Sequence, residues 1–247
     1  MQHDHSFDGL AGKFSKNIYG TTKGRLRHAL LVHAVEKWLP VKGTPVLELG
    51  CGTGEMALTL SEMGHPVTLT DASSEVLAQA RMLLSDYPDA RFIQCPLQQV
   101  PDVCDFDFIV CHAVLEWLAA PLEALTHIYE NMREGAVMSL SFFNRDAALF
   151  NNAVYGNFDY IARDMKVKKQ VRLNPKQPLS PAQVMAHCEN AGFSIEAKTG
   201  IRCFHDYLRD REMQQTRFDE ILELEKQYGN KEPYCRLGRY FHLILQK

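Results

Sequence analysis

Apolar and polar positions along the chain alternate between two periods. Short apolar runs stand near residues 45–49, 66–70, 90–94, 106–111 and 136–142, and their length and β-branched content predict strands. Stretches with apolar residues three or four apart fill the gaps at about 54–63, 73–85 and 121–132, the spacing of a helix with one buried face. An earlier helical stripe, Leu26, Ala29, Leu30, Ala34 and Trp38, is ended by Pro40. Strands that alternate with helices imply a parallel sheet covered on both faces, an α/β fold. The alternation stops between Asn144 and Pro178, where Asn151-Asn152 and Gly156-Asn157 read as a loop or a small helical insertion. Ser180-Pro181 then opens a new helix with a cap and a first-turn proline. A strand from Phe193 to Phe204, a charged helix through Tyr228 and a closing strand from Arg236 to Leu245 complete the pattern.

The first strand runs into Gly50-Cys51-Gly52-Thr53-Gly54. Three alternate glycines at a strand-to-helix turn let the backbone approach a ligand closely. The spacing is one residue shorter than the dinucleotide fingerprint G-x-G-x-x-G. The second strand ends on Asp71, about 20 residues past the turn, where a carboxylate can accept two ribose hydroxyls. The plainer role for Asp71 is to help cap the next helix, for which Ser73 is also suited.

Composition narrows the class. The chain has 247 residues, suiting one large domain or one with an insertion. Its 46% hydrophobic content is ordinary, and no apolar run reaches the length of a membrane span. Seven cysteines without a C-x-x-C pair argue against a disulfide framework and a zinc site, and the ten histidines include no H-E-x-x-H. Met-Gln-His-Asp-His at the start lacks the basic-then-apolar order of a signal peptide, so a cytoplasmic protein without bound metal is expected. The net charge is −3, but Arg163 to Lys176 holds six cations against one acid, a local +5 that leaves −8 elsewhere. A polyanion would be steered to one face.

The acid-preceded glycine turn (Glu48 before Gly50, Gly52 and Gly54), Asp71, the Ala90–Gln98 segment and His112-Ala-Val-Leu-Glu-Trp117 resemble the class I S-adenosylmethionine-dependent methyltransferases. More specific are Asn17-Ile-Tyr-Gly-Thr-Thr-Lys-Gly-Arg-Leu-Arg27, Gly156-Asn-Phe-Asp-Tyr160, Thr199-Gly-Ile-Arg-Cys-Phe-His-Asp-Tyr207 and Leu237-Gly-Arg-Tyr240. With these, essentially the whole chain resembles the bacterial tRNA 5-carboxymethoxyuridine methyltransferase family. The resemblance implies a Rossmann-like, seven-stranded, mostly parallel sheet with helices on both faces and an antiparallel edge hairpin. It implies a single methyltransferase domain over 1–247, with 1–40 a helical segment over the cofactor site and 144–180 a basic insertion for substrate. It also implies S-adenosyl-L-methionine as cofactor, the tRNA anticodon arm as partner, and methyl esterification of a modified wobble uridine.

Carried over position by position, the cofactor contacts fall on Arg27, Gly50, Cys51, Asp71, Leu97, Gln98 and His112. The family has Gly-Gly-Gly where this chain has Gly50-Cys51-Gly52, so a backbone contact at Cys51 requires its side chain to point away. Arg27 suits a bidentate clamp on the cofactor carboxylate, against the commoner role of a solvated helix arginine. His112, at the carboxyl edge of the fourth strand, is equally a ligand contact or a buried histidine bonded to its neighbours. Tyr19, Lys166, Lys168, Lys169, Arg172, Arg202, His205, Tyr207, Arg239 and Tyr240 are candidates to hold the substrate nucleotide, against core packing, rim salt bridges or a solvated loop. A carboxylate acceptor is ionised at neutral pH and needs no general base, which fits the lack of an evident acid–base pair; no residue is nominated as catalytic. The alternatives are a small-molecule carboxylic-acid methyltransferase, which shares the fold and the cofactor motif, and a non-catalytic cofactor binder, against which the intact glycine turn and Asp71 speak. The basic strip separates the tRNA reading from the first of these.

Overall fold

The computed structural model describes Asp4, residues 20–166 and residues 178–247. Tyr19, Lys168, Lys169 and Arg172 lie outside the described residues, as does most of the expected N-terminal segment before Gly20. Seven strands form one sheet: β1 (Val46–Leu49), β2 (Val67–Asp71), β3 (Arg91–Gln94), β4 (Phe108–His112), β5 (Val137–Phe143), β6 (Ser194–Ile201) and β7 (Tyr240–Gln246). Their order is β3-β2-β1-β4-β5-β7-β6. Neighbours among β1 to β5 pair in parallel, and β7 runs antiparallel to both β5 and β6. This is the mostly parallel sheet with an antiparallel pair at one edge that the pattern and the resemblance imply.

β1 is buried at all four positions, as expected of a strand covered on both faces. One face carries Leu47, Leu49, Ile109, Met138, Leu140 and Phe142, packed on Leu125 and Ile128 of α4 (Pro121–Asn131) and Val184 of α7 (Pro181–Ala191). The other carries Val46, Leu69, Phe108 and Val110. They pack on Leu26 and Leu30 of α1 (Thr22–Val35), Leu60 of α2 (Glu55–Glu62), Leu77 of α3 (Ser74–Leu83) and Ile221 of α9 (Phe218–Tyr228). Each such side chain fully buried stabilises the fold by about 1.5–3 kcal/mol. Between β5 and α7 lie α5 (Arg145–Val154) and α6 (Phe158–Ala162), and α8 (Met213–Thr216) precedes α9.

Element ends depart from the pattern where a backbone device outranks hydrophobic periodicity. α1 begins at Thr22, because the Thr21 hydroxyl accepts the Gly24 N–H at 3.1 Å, and gives way to a 3-10 turn, Glu36–Trp38, before Pro40. β6 stops at Ile201 rather than reaching Phe204, because Arg202 takes a left-handed φ of 65°. β7 starts at Tyr240 rather than Arg236, after a 3-10 turn at Tyr234–Leu237. Asn144 secures this corner: fully buried, it donates from Nδ2 to the carbonyls of Arg236 and Gly238, each at 2.9 Å, and caps α5 through the Asp146 N–H.

Candidate functional site

Strand direction decides what meets what. β1 to β6 all point one way, so the segments following β1, β2, β3, β4, β5 and β6 emerge at the same sheet edge, which β7 enters at Tyr240. The chain order reverses between β1 and β4, and open α/β sheets bind ligands at this reversal. A cleft opens there.

The glycine turn forms one wall. Gly50 ends β1 with φ at 66°, and a Cβ on it would stand 2.6 Å from Val114 Cγ2. Gly54 starts α2 with φ at 91°, and its Cβ would reach within 3.0 Å of Ala80 Cβ. Asp71 braces the turn from β2: one carboxylate oxygen accepts the Gly52 N–H at 3.0 Å, the other the Ser73 N–H at 2.9 Å. A carboxylate offers about four lone-pair sites, so this bracing is compatible with accepting ligand hydroxyls as well. Ser73 takes the capping role, its hydroxyl accepting the Val76 N–H at 3.4 Å. The Cys51 side chain is buried, its thiol donating to the Gly52 carbonyl at 3.5 Å. Burial raises that thiol well above its ordinary range, which leaves it an unreactive filler.

Two buried carboxyls line the cleft. Burial, then the charges of Glu55 and Asp71, push Glu48 up to about 8. Burial pushes Glu116 up to about 7. Each is buried and lines the cleft, with an Oε2 atom that has no hydrogen-bond partner among the described residues. His112 ends β4 beside them, its Nε2 2.7 Å from Ser139 Oγ, and burial followed by the fields of His242 and Arg27 holds it well below its ordinary pKa. It is a neutral ring at pH 7.

Arg27 from α1 and Tyr240 from β7 form the lip. The guanidinium donates to the Tyr240 hydroxyl at 3.4 Å and sits 5.3 Å from the ring centroid. Leu97 lines the far wall after β3, whereas Gln98 stands outside the lining and donates to the Asp4 carboxylate at 3.2 Å. Asp4 also accepts the Ala119 N–H at 2.7 Å, so this N-terminal residue ties two walls together. Arg27, Gly50, Cys51, Asp71, Leu97 and His112 therefore meet in one cleft, with Tyr240, with Glu48 and Glu116, which the sequence places in motifs without a site role, and with His28 and Met56, which it does not single out. A detectable signal exists for Glu48, a lone acid in an otherwise apolar strand.

The other substrate candidates surround this edge. Arg202 pairs with Asp206, whose second oxygen lies 2.8 Å from His205 Nδ1, and His205 is fully buried. The Glu225 carboxylate accepts the N–H groups of Cys203, Phe204 and His205 at 2.6, 2.9 and 3.0 Å. Arg202 and His205 thus shape the loop from within. Tyr207 donates to the Leu237 carbonyl at 3.0 Å, and Arg239 stacks over the Phe143 ring at 4.5 Å. Lys166 is strongly exposed, and Phe150, Tyr155 and Phe158 present aromatic surface nearby in the chain. Among the described residues no group of three or more His, Cys, Asp or Glu is placed to hold a metal, and no helix is long and apolar enough to cross a membrane.

Comparison with known proteins bears on this arrangement. A family profile for the methyltransferase domain matches residues 23–198. The chain is 42% identical over 254 aligned residues to the tRNA 5-carboxymethoxyuridine methyltransferase of Escherichia coli strain K12, covering 99% of this chain and 97% of that protein. It is 29% identical to a ubiquinone biosynthesis O-methyltransferase of Xanthomonas euvesicatoria, over 66% of this chain and 68% of that one. In structure it is similar to magnesium protoporphyrin IX methyltransferase from Synechocystis, solved with bound SAH, with a TM-score of 0.65, 16% identity, and 98% and 96% of the two chains covered.

Proposed function

The chain belongs to the methyltransferase-domain family and, within it, to the tRNA 5-carboxymethoxyuridine methyltransferases, and from this premise we propose which reaction the cleft performs. It transfers a methyl group from S-adenosylmethionine to the carboxylate of 5-carboxymethoxyuridine at tRNA wobble position 34, giving the methyl ester 5-methoxycarbonylmethoxyuridine. The observation that carries this reading is identity of 42% sustained over 99% of the chain, with the cleft intact at its centre.

The residues present fit the cofactor. A Cβ at Gly50 would collide with Val114, so the turn holds its backbone bare toward the cleft, and the buried Oε2 atoms of Glu48 and Glu116 have no partner among the described residues. Asp71 takes the ribose hydroxyls, the backbone of Gly50, Cys51 and Gly52 takes the chain of the cofactor, and Leu97 takes adenine, with Gln98 next to it in the chain. Arg27 and His112 take the methionine end, where a guanidinium suits a carboxylate. When bound, S-adenosylmethionine supplies an electrophilic methyl on a cationic sulfonium.

The protein's part is orientation and exclusion of water. A carboxylate acceptor is ionised at pH 7, so no residue has to remove a proton. Attack of an anion on a cation disperses charge, which a dry pocket favours. Holding His112 neutral and Glu48 protonated keeps additional unpaired charge out of the floor. Positioning at about 3 Å supplies much of the remaining acceleration.

The anticodon arm docks at the same edge. The +5 of residues 163–176, including Lys166, Lys168, Lys169 and Arg172, contacts phosphates, while exposed aromatics such as Phe150, Tyr155 and Phe158 suit unstacked loop bases. Tyr207, Arg239 and Tyr240 border the path of the target uridine, with Arg202 and His205 shaping the loop beneath it, and Tyr19 is a further candidate from the sequence alone. Mass spectrometry of bulk tRNA from cells with and without this protein tests the reading: loss of the ester with accumulation of the free carboxylate is expected. Unchanged nucleosides would contradict it.

A further inference from the structure

Ser139, on β5, lies between two histidines. Its Oγ stands 2.7 Å from His112 Nε2 and 2.8 Å from His242 Nε2. The two rings meet edge to face, 5.8 Å apart, and Ser139 and His242 have no exposed surface. Neither Nδ1 atom has a partner among the described residues.

A hydroxyl has one hydrogen, so Ser139 donates to only one of the two Nε2 atoms and accepts from the other. Two proton arrangements satisfy both contacts when the rings are neutral. In the first, His242 Nε2–H donates to Ser139, Ser139 donates to His112 Nε2, and the remaining ring hydrogen of His112 sits on Nδ1. In the second, every donor is reversed and the unpartnered hydrogen falls on His242 Nδ1. An orphaned N–H buried from water is costlier than a bare acceptor lone pair. Both Nδ1 atoms are buried, but His242 lies on β7, between β5 and β6, with no exposed surface, whereas His112 lines the cleft, where a bound acceptor can meet its N–H.

We infer that Ser139 and His242 are positioning residues that hold His112 in its Nδ1–H tautomer, so that it is a hydrogen-bond donor to a carboxylate bound in the cleft. The inference rests on the assignment of His112 to the methionine end of S-adenosylmethionine. It extends that assignment to two residues deep in the sheet.

Long-range proton–nitrogen correlation spectra of histidine-labelled, ligand-free protein read the tautomers directly. Nδ1–H at His112 with Nε2–H at His242 is expected, and the opposite pair would overturn the inference. Calorimetric titration then compares S-adenosylmethionine with 5′-methylthioadenosine, which lacks the amino and carboxylate groups. His242→Leu should weaken S-adenosylmethionine roughly tenfold, the worth of one hydrogen bond to a charged group, and methylthioadenosine less than twofold. His242→Gln, which restores a donor to Ser139, should recover the loss. Equal weakening of both ligands would mean that His242 only packs the core, and an unchanged affinity for S-adenosylmethionine would likewise overturn the inference. Should His242→Leu fail to fold, Ser139→Ala takes its place under the same expectations. Wild-type protein that bound neither ligand would instead overturn the functional reading, and the spectra would still decide the tautomer.

Discussion

Replacing Asp71 by Asn separates its two duties. The carboxylate braces the glycine turn through the Gly52 and Ser73 N–H groups at 3.0 and 2.9 Å, and it is assigned the two ribose hydroxyls. Alanine would remove both duties together. Asparagine keeps the shape and one acceptor oxygen but removes the charge. A hydrogen bond to a charged group is worth about 1.5–3 kcal/mol and a neutral one about 0.5–1.5 kcal/mol, so two ribose bonds lose about 2–3 kcal/mol between them. That corresponds to roughly 30- to 150-fold weaker binding of S-adenosylmethionine. Losing one turn bond should lower stability by only about 1 kcal/mol. Calorimetric titration gives the first quantity and urea unfolding the second. Affinity within twofold of wild type, alongside a lowered urea midpoint, would refute the ribose assignment and leave Asp71 as a brace alone.

Two further outcomes follow from the charges. Glu48 is raised from 4.5 to about 8, so the folded protein holds this proton more tightly than the unfolded chain; the stability it contributes is complete below pH 4.5 and lost as pH rises through 8. Glu48→Gln should therefore flatten the decline in unfolding free energy between pH 5 and 8, by on the order of 3 kcal/mol, in urea titrations of the ligand-free protein; parallel curves for the two proteins would contradict the burial argument. Neutralising Lys166, Lys168, Lys169 and Arg172 together should weaken tRNA binding and flatten its salt dependence by about 0.7–0.9 log unit per lost phosphate contact, with S-adenosylmethionine affinity unchanged. An identical salt slope would make the basic segment a bystander.

The strands were legible because a sheet covered on both faces demands near-continuous apolar runs, and β1 and β4 have them apart from Glu48 and the closing His112. The glycine turn and Asp71 were legible because close backbone approach restricts the residue type. Other features lie across the sheet rather than along the chain. Ser139 reaches His112 over 27 positions and His242 over 103, so only strand order and register bring them together. The sequence marks Arg202 and His205 as polar but not as buried; that follows from Asp206 and from Glu225, about 20 residues further on. Gln98 illustrates the same limit at one residue, since its side chain turns to Asp4, distant in the chain.

The central claim is that the acceptor is a carboxylate on tRNA. Radiolabelled methyl transfer from S-adenosylmethionine is measured on purified tRNA bearing either 5-carboxymethoxyuridine or 5-hydroxyuridine at position 34, followed by mild alkali and nucleoside analysis. The account predicts label only on the carboxymethoxy tRNA, released by alkali as methanol with return of the free acid. Alkali-stable label, or equal transfer to the hydroxyuridine tRNA, would contradict it.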